Sequence, residues 1–312
     1  MEINIIHKIL NLIRGFMSEN LDGIILKGIA GFYYIDTSFG IYECKARGVF
    51  RKNDIVPTVG DKVKIAVVDD ANKKGNLIQI SPRKNLLIRP AVANVDNFII
   101  VSSVTSPPFD FYFVDKLLVI CEYANINPVI VINKNDLDSG EQYGNIYEKI
   151  GYKVLYTIAK EQNGVNEISL VISNGINVLS GASGVGKSSL INLIDTGLNL
   201  ETGEVSKLTR GRHTTRHNEL FKFKENSYIA DTPGFSSFEI DFKIDDLSYL
   251  FKEFRNFKCM FLGCTHTKEK GCKILEAVSF GVIANSRYTS YLNIYNKIKD
   301  IKHWHKKGKN ND

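Results

Sequence analysis

No stretch of this 312-residue chain runs for about 18 apolar residues without interruption, so no segment is suited to span a bilayer as a helix. Nor is a signal peptide expected from its first residues. Residues 1–17 are apolar at helical spacing, but His7, Lys8 and Arg14 break the apolar centre a signal needs, and no small-residue cleavage site follows. They read as a short amphipathic helix, or as an upstream extension if Met17 is the true start. Cysteine is scarce, and its five copies are an odd number. Three of them lie close together beside a histidine, which suits metal ligation in a reducing compartment better than a disulfide framework. No internal repeat is present. The expectation is a soluble, cytoplasmic monomer with no membrane partner.

Charge of one sign is also in short supply. Forty Lys and Arg against 34 Asp and Glu leave a net charge of +6, which alone is a weak argument for a nucleic-acid partner. The distribution says more: Lys297, Lys299, Lys302, Lys306, Lys307 and Lys309 crowd the C-terminus, and Arg210, Arg212, His213, Arg216 and His217 crowd one short loop.

A single core seldom grows beyond about 250 residues, so two or three domains are expected. After an extension over 1–22, residues 23–81 hold five short alternating segments, 24–26, 32–36, 41–46, 63–68 and 77–80, separated by turn signals. This is the pattern of an OB-like β-barrel or of another small barrel. Over 82–240, apolar strands at 98–104, 128–132, 153–156, 176–179 and 228–230 alternate with helical stretches at 114–123, 143–150 and 189–194. That alternation predicts a mostly parallel sheet with helices on both faces and a ligand at the carboxyl ends of its strands. Residues 241–312 predict a short helix at 247–254, a Cys/His cluster, one final helix over 275–303 and a basic tail. So small a helical domain suits stabilisation by a metal.

Gly181-Ala182-Ser183-Gly184-Val185-Gly186-Lys187-Ser188 fits the phosphate-loop pattern G-x-x-x-x-G-K-[ST] and stands between an apolar strand and a helical stretch beginning at Ser189. Its glycines let backbone N–H groups close round a β-phosphate, Lys187 reaches the β- and γ-phosphates, and the Ser188 hydroxyl ligates Mg²⁺. All eight residues and Ser189 are assigned to nucleotide binding. A glycine-rich turn that merely contains lysine would not need the strand before it and the helix after it. Asp231-Thr232-Pro233-Gly234 follows another apolar strand. Asp231 can hold Mg²⁺ through water, and the Gly234 N–H can meet a γ-phosphate and so sense its presence.

Asn133-Lys134-Asn135-Asp136 follows the strand 128–132. A carboxylate at Asp136 accepts from the N1–H and exocyclic amine of guanine, while Asn133 and the stem of Lys134 brace the loop and the purine face. Charge-assisted bonds of this kind contribute roughly 1.5–3 kcal/mol each, and adenine would leave the carboxylate poorly paired. In ordinary GTPases this motif comes last, whereas here it precedes the phosphate loop. Binding requires only that the loops converge at one sheet edge. The permuted order also sends the turn 231–234 straight into the C-terminal segment.

Cys259, Cys264, His266 and Cys272 supply three thiolates and an imidazole, a complete tetrahedral set for one structural Zn²⁺ with no open position for chemistry. Cys44 and Cys121 fall in an expected strand and helix and are assigned to packing. His303 and His305 flank the only tryptophan, Trp304, at a solvated helix end.

In order and spacing these residues resemble the RsgA family of circularly permuted GTPases, which act in maturation of the small (30S) ribosomal subunit. The resemblance covers about residues 23–290: the barrel, Ala93-Asn94-Val95-Asp96, the guanine motif, the phosphate loop, Gly211-Arg212-His213-Thr214-Thr215, Asp231 to Gly234 and the cysteine cluster. It implies GTP hydrolysis stimulated by the small subunit, binding of ribosomal RNA, and a role for Thr214 or Thr215 in holding Mg²⁺ and the γ-phosphate. Two departures stand out. The guanine-side loop that usually reads Ser-Ala or Ser-Ser is Thr157-Ile158-Ala159-Lys160, without a hydroxyl at Ile158. Phe235 stands where small GTPases carry a water-orienting glutamine, so intrinsic hydrolysis should be slow unless another group helps. His213 is the candidate for that help, beside Lys187, Thr214 and Thr215; contact with RNA or solvent is its alternative role.

Three functions compete: a GTPase timer gripping RNA through the barrel (Lys45, Arg47, Arg51, Lys52), the zinc domain and the loop around Arg212; an RNA-binding assembly factor that binds nucleotide with negligible turnover; and a phosphate-loop ATPase, against which Asp136 argues.

Overall fold

The computed structural model describes residues 20–46, 50, 55–88, 90–194, 219–231 and 242–307, of which 231 and 300–307 by backbone alone. The expectations placed on residues 1–17, on Arg47, Arg51 and Lys52, on the loop holding Arg210, Arg212, His213, Thr214, Thr215, Arg216 and His217, and on Gly234 and Phe235 lie outside them.

Alternation closes the first sheet. In β3 (Gly40–Ala46) Tyr42 and Cys44 face inward, and in β4 (Lys62–Asp69) Val63 and Ile65 do so while Lys62 and Lys64 stay in water. With β1 (Asn20–Ile29), β2 (Phe32–Thr37) and β5 (Lys74–Ile80) they form a closed barrel in the order β1-β2-β3-β5-β4. Its one parallel pair among the described strands is β3 with β5. Closure removes the sheet edges, and Ile25, Ile35, Tyr42, Cys44, Val63, Ile65 and Leu77 fill the interior. A two-stranded ribbon, β6 (Leu86–Leu87) with β7 (Val92–Ala93), follows.

The second sheet begins at β8 (Val95–Ser103), whose last six residues are all buried, the mark of a strand covered on both faces. With β9 (Asn127–Asn133), β10 (Lys153–Thr157), β11 (Gly175–Ser180), β12 (Glu219–Lys224) and β13 (Ser227–Asp231) it forms six strands ordered β10-β9-β8-β11-β13-β12. The pairs β10–β9, β9–β8, β8–β11 and β11–β13 are parallel. Only two residues join β12 to β13, too few for a parallel crossover, so that edge pair is antiparallel. Helices α1 (Phe111–Ala124), α2 (Glu141–Ile150), α3 (Val165–Val171) and α4 (Lys187–Ile194) make the crossovers. The Asp110 carboxylate accepts from Phe113 N–H at 3.0 Å to start α1.

After α5 (Leu247–Leu250) and a 3₁₀ turn (Lys252–Asn256), the single final helix expected over 275–303 is corrected to two, α6 (Lys273–Ser279) and α7 (Asn285–Lys307). Gly281, at φ +71°, ends α6 by donating to the Val278 carbonyl at 3.0 Å, and Val282 N–H reaches back to Ala277. The break is a left-handed helix cap, which apolar periodicity running through Val278 and Ile283 conceals. These helices share a core of Leu247, Phe251, Ile274, Tyr291 and Ile294 with Val119 of α1. By contacts the described residues divide into two units. One holds the barrel and ribbon up to Asn94 with residues 219–221; the other runs from Val95 and includes the C-terminal helices.

Candidate nucleotide site and metal centre

The strands β8, β9, β10, β11 and β13 all end at one edge of the second sheet, and the expected nucleotide residues sit where they end. Residues 181–186 connect β11 to α4, which Leu190 and Ile191 anchor in the core together with Val185 of the loop itself. Lys187 folds back and donates to the carbonyls of Gly181 and Ala182 at 2.7 and 2.8 Å, and burial holds its ammonium below the ordinary lysine value. Ser188 is buried at the start of α4. The backbone of Asp231 closes β13, the neighbour of β11.

Asn133 joins the loops. Its amide donates to the Val185 carbonyl at 2.9 Å, while its own oxygen accepts from the Thr157 hydroxyl at 3.0 Å and from Ala159 N–H at 3.2 Å. One buried side chain therefore ties the phosphate loop to the guanine-side loop after β10. It also explains a glycine. Gly186 lies at φ +100°, and a Cβ there would stand 2.3 Å from Asn133 Nδ2. Lys134 takes a left-handed backbone, φ +66°, and its ammonium donates to the Ser106 carbonyl. Asn135 stiffens the turn, donating to the Ile132 carbonyl at 2.6 Å and accepting from Gly140 N–H at 2.8 Å, and Asp136 is left exposed at the tip. In Ala93-Asn94-Val95-Asp96, Asn94 bonds Gly60 and Lys84 of its own unit, and the Asp96 carboxylate accepts from Ile176 N–H at 2.8 Å.

Cys259, Cys264, His266 and Cys272 place their four donor atoms within 4.8 Å of one another. A tetrahedral Zn²⁺ with Zn–S near 2.3 Å and Zn–N near 2.05 Å requires S···S of about 3.8 Å and S···N of about 3.5 Å. The Cys259–Cys272 sulfurs are 3.7 Å apart, and His266 Nδ1 stands 3.5 and 3.4 Å from those two sulfurs. The set therefore fits one structural zinc. Burial lowers the His266 pKa against the pull of Glu269, favouring the neutral imidazole a metal needs. The Tyr291 and Tyr288 hydroxyls hold the loop by donating to the Thr265 and His266 carbonyls at 2.7 and 2.9 Å. Glu269 accepts from Thr265, Thr267 and Lys268.

Two features, residues 104–109 and the Arg287 network, went unseen in the sequence, as did the partner of Thr157. Residues 104–109 lie against the nucleotide loops. Arg287 of α7, fully buried, donates to Asp115 of α1 at 2.7 Å and to both oxygens of Glu253 at 2.7 and 3.0 Å; Asp115 also accepts from Tyr147 of α2 at 2.9 Å. Thr157 acts through Asn133, a partner 24 positions away. Cys44 and Cys121 are buried packing residues, as expected. Of the barrel residues expected at RNA, Lys45 is described: it is exposed, with its ammonium 5.1 Å from the Phe32 ring centre.

A phosphate loop and an N-K-x-D loop, joined by Asn133 and met in reverse of the usual chain order, define a circularly permuted guanine-nucleotide-binding fold. Residues 80–241 match the RsgA GTPase family model and residues 22–75 the RsgA N-terminal domain. A curated relative from Caldanaerobacter subterraneus subsp. tengcongensis, small ribosomal subunit biogenesis GTPase RsgA, is 45% identical over 288 residues, covering 90% of this chain and 97% of the relative. One of the same name from Alkaliphilus metalliredigens is 46% identical over 285 residues, covering 89% and 97%. Among solved structures, YjeQ from Thermotoga maritima superposes with a TM-score of 0.76 at 35% identity, covering 89% of this chain and 98% of that one. YloQ, a circularly permuted GTPase, gives 0.73 at 34%, covering 90% and 96%. The chain belongs to the RsgA GTPase family.

Proposed function

We propose that this protein hydrolyses GTP to GDP and phosphate as a switch in late maturation of the small ribosomal subunit, in the cytoplasm and as a monomer without a membrane partner. The observation that carries the reading is the Asn133 junction, whose hydrogen bonds tie the base loop to the phosphate loop. In this reading Asp136 selects guanine, with Asn133 and Lys134 bracing it. Gly181, Ala182, Ser183, Gly184, Val185 and Gly186 cradle the phosphates with Ser189, and Lys187 bears on the β- and γ-oxygens. Ser188 and Asp231 hold Mg²⁺, joined by Thr214 or Thr215 when GTP is bound; Gly234 reports the γ-phosphate; His213 orients the attacking water. Cys259, Cys264, His266 and Cys272 hold zinc and shape the C-terminal domain over 241–312, which follows the extension (1–22), the barrel (23–81) and the GTPase domain (82–240). The barrel and zinc domain grip ribosomal RNA, Lys45 among the contacts.

Equilibrium competition by GDP, GTP, ADP and ATP, followed by cosedimentation with small and large subunits in each nucleotide state, tests it. Guanine selectivity with nucleotide-dependent binding to small subunits alone is expected; equal affinity for adenine nucleotides would reject it. Phe235 favours a second reading, an RNA-binding assembly factor with negligible turnover, for which His213→Ala would leave phosphate release at its already low rate.

A further inference from the structure

Residues 104–109 connect β8 to α1 and belong to none of the nucleotide motifs, yet they touch both loops assigned to the nucleotide. Val104 N–H donates to the Asn133 carbonyl at 3.2 Å. Pro107 Cδ and the Ser106 carbonyl oxygen lie 3.7 and 3.9 Å from where a Cβ on Gly184 would stand. The Ser106 carbonyl accepts from the Lys134 ammonium. The segment is braced at both ends. The fully buried Ser103 donates its hydroxyl to the Pro107 carbonyl at 2.8 Å. Phe109 stacks on Tyr143 of α2 with centroids 4.6 Å apart and planes 6° from parallel, and Phe111 meets Phe109 edge-on at 5.0 Å.

A lysine that must lie along a purine face loses the freedom of a four-carbon stem when the base arrives. An ammonium already tethered to a carbonyl has lost much of that freedom beforehand, so less is lost on binding. We propose that residues 104–109 form a clasp that positions Lys134 for the guanine face, with Ser103 and Pro107 as positioning residues that set guanine-nucleotide affinity through Lys134. The inference rests on the guanine reading above. The tether acts on the stem, so its loss should separate base recognition from phosphate recognition.

Titration calorimetry of the full-length protein with GDP and with inorganic tripolyphosphate, for Pro107→Gly, Ser103→Ala, Lys134→Met and the double variants, tests the clasp. Pro107→Gly should weaken GDP about tenfold, leave tripolyphosphate within about twofold, and raise KM for GTP with kcat unchanged. In the Lys134→Met background it should have no further effect on GDP. Equal loss for GDP and tripolyphosphate, or additive loss in the double variant, overturns the clasp and makes the segment a support of the phosphate loop. Circular dichroism confirms that each variant folds, and Ser103→Ala carries the same test if Pro107→Gly does not. A wild-type protein that binds ADP as well as GDP fails the guanine reading instead, a separable result.

Discussion

Replacing Arg287 by methionine keeps an unbranched apolar stem and removes a guanidinium whose three hydrogen bonds, at 2.7, 2.7 and 3.0 Å, reach carboxylates of two other elements. Arg287 and Asp115 have fully buried side chains and Glu253 is 11% exposed, so the variant strands two acidic groups away from water. Removing one partner of such a buried pair costs about 3–5 kcal/mol, because the remaining charge keeps its desolvation penalty and loses its attraction. At about 2–4 °C per kcal/mol for a unit of this size, melting should fall by about 6–20 °C, read by near-ultraviolet circular dichroism in urea and heat. Adding Asp115→Asn and Glu253→Gln to Arg287→Met should recover most of the loss, since uncharged amides there no longer need a cation. A loss below about 1 kcal/mol in the single variant would refute the reasoning. A large loss without recovery would assign the effect to packing, since the Arg287 guanidinium also lies 4.7 Å from the Phe251 ring centre.

Other consequences follow from the same geometry. Gly186→Ala, forced to φ +100° with its methyl 2.3 Å from Asn133 Nδ2, should weaken GDP by about 10–100-fold in equilibrium titration and, at about 1–3 kcal/mol of strain, lower the melting temperature by about 2–12 °C. Thr157→Val, which keeps the shape but removes the hydroxyl donated to Asn133 at 3.0 Å, should weaken GDP by about fivefold; an unchanged affinity would show that Asn133 is positioned by Val185 and Ala159 alone. Cys272→Ser should reduce bound zinc from one ion per chain towards none by elemental analysis and expose residues 258–273 to proteolysis, as should a strong chelator acting on the unmodified protein.

How much of this was legible in sequence differs by element, for physical reasons. The phosphate loop was readable because backbone N–H groups closing round a phosphate demand glycine, and the N-K-x-D loop and the cysteine cluster because few side chains offer the donors and acceptors that guanine and zinc require. The barrel was readable because period-2 burial is a local property: Val63 and Ile65 alternate with lysines wherever the strand is paired. Strand order was not, since nothing local to β11 says that it lies between β8 and β13. The final helix was misjudged because the cap at Gly281 depends on one left-handed residue inside a continuous apolar pattern. The Arg287 network left no trace either. Asp115 stands in a helix of otherwise apolar buried residues, and its partner is 172 positions away. The clasp meets Lys134 through a backbone carbonyl, that of Ser106, which no side-chain motif can reveal.

Phosphate release from GTP and from ATP, measured alone, with purified small subunits and with large subunits, tests the central claim most directly. Slow GTP-selective release accelerated by small subunits only, and reduced in the His213→Ala protein, is the expected result. Release that no ribosomal subunit accelerates, or that ATP supports equally, would contradict it.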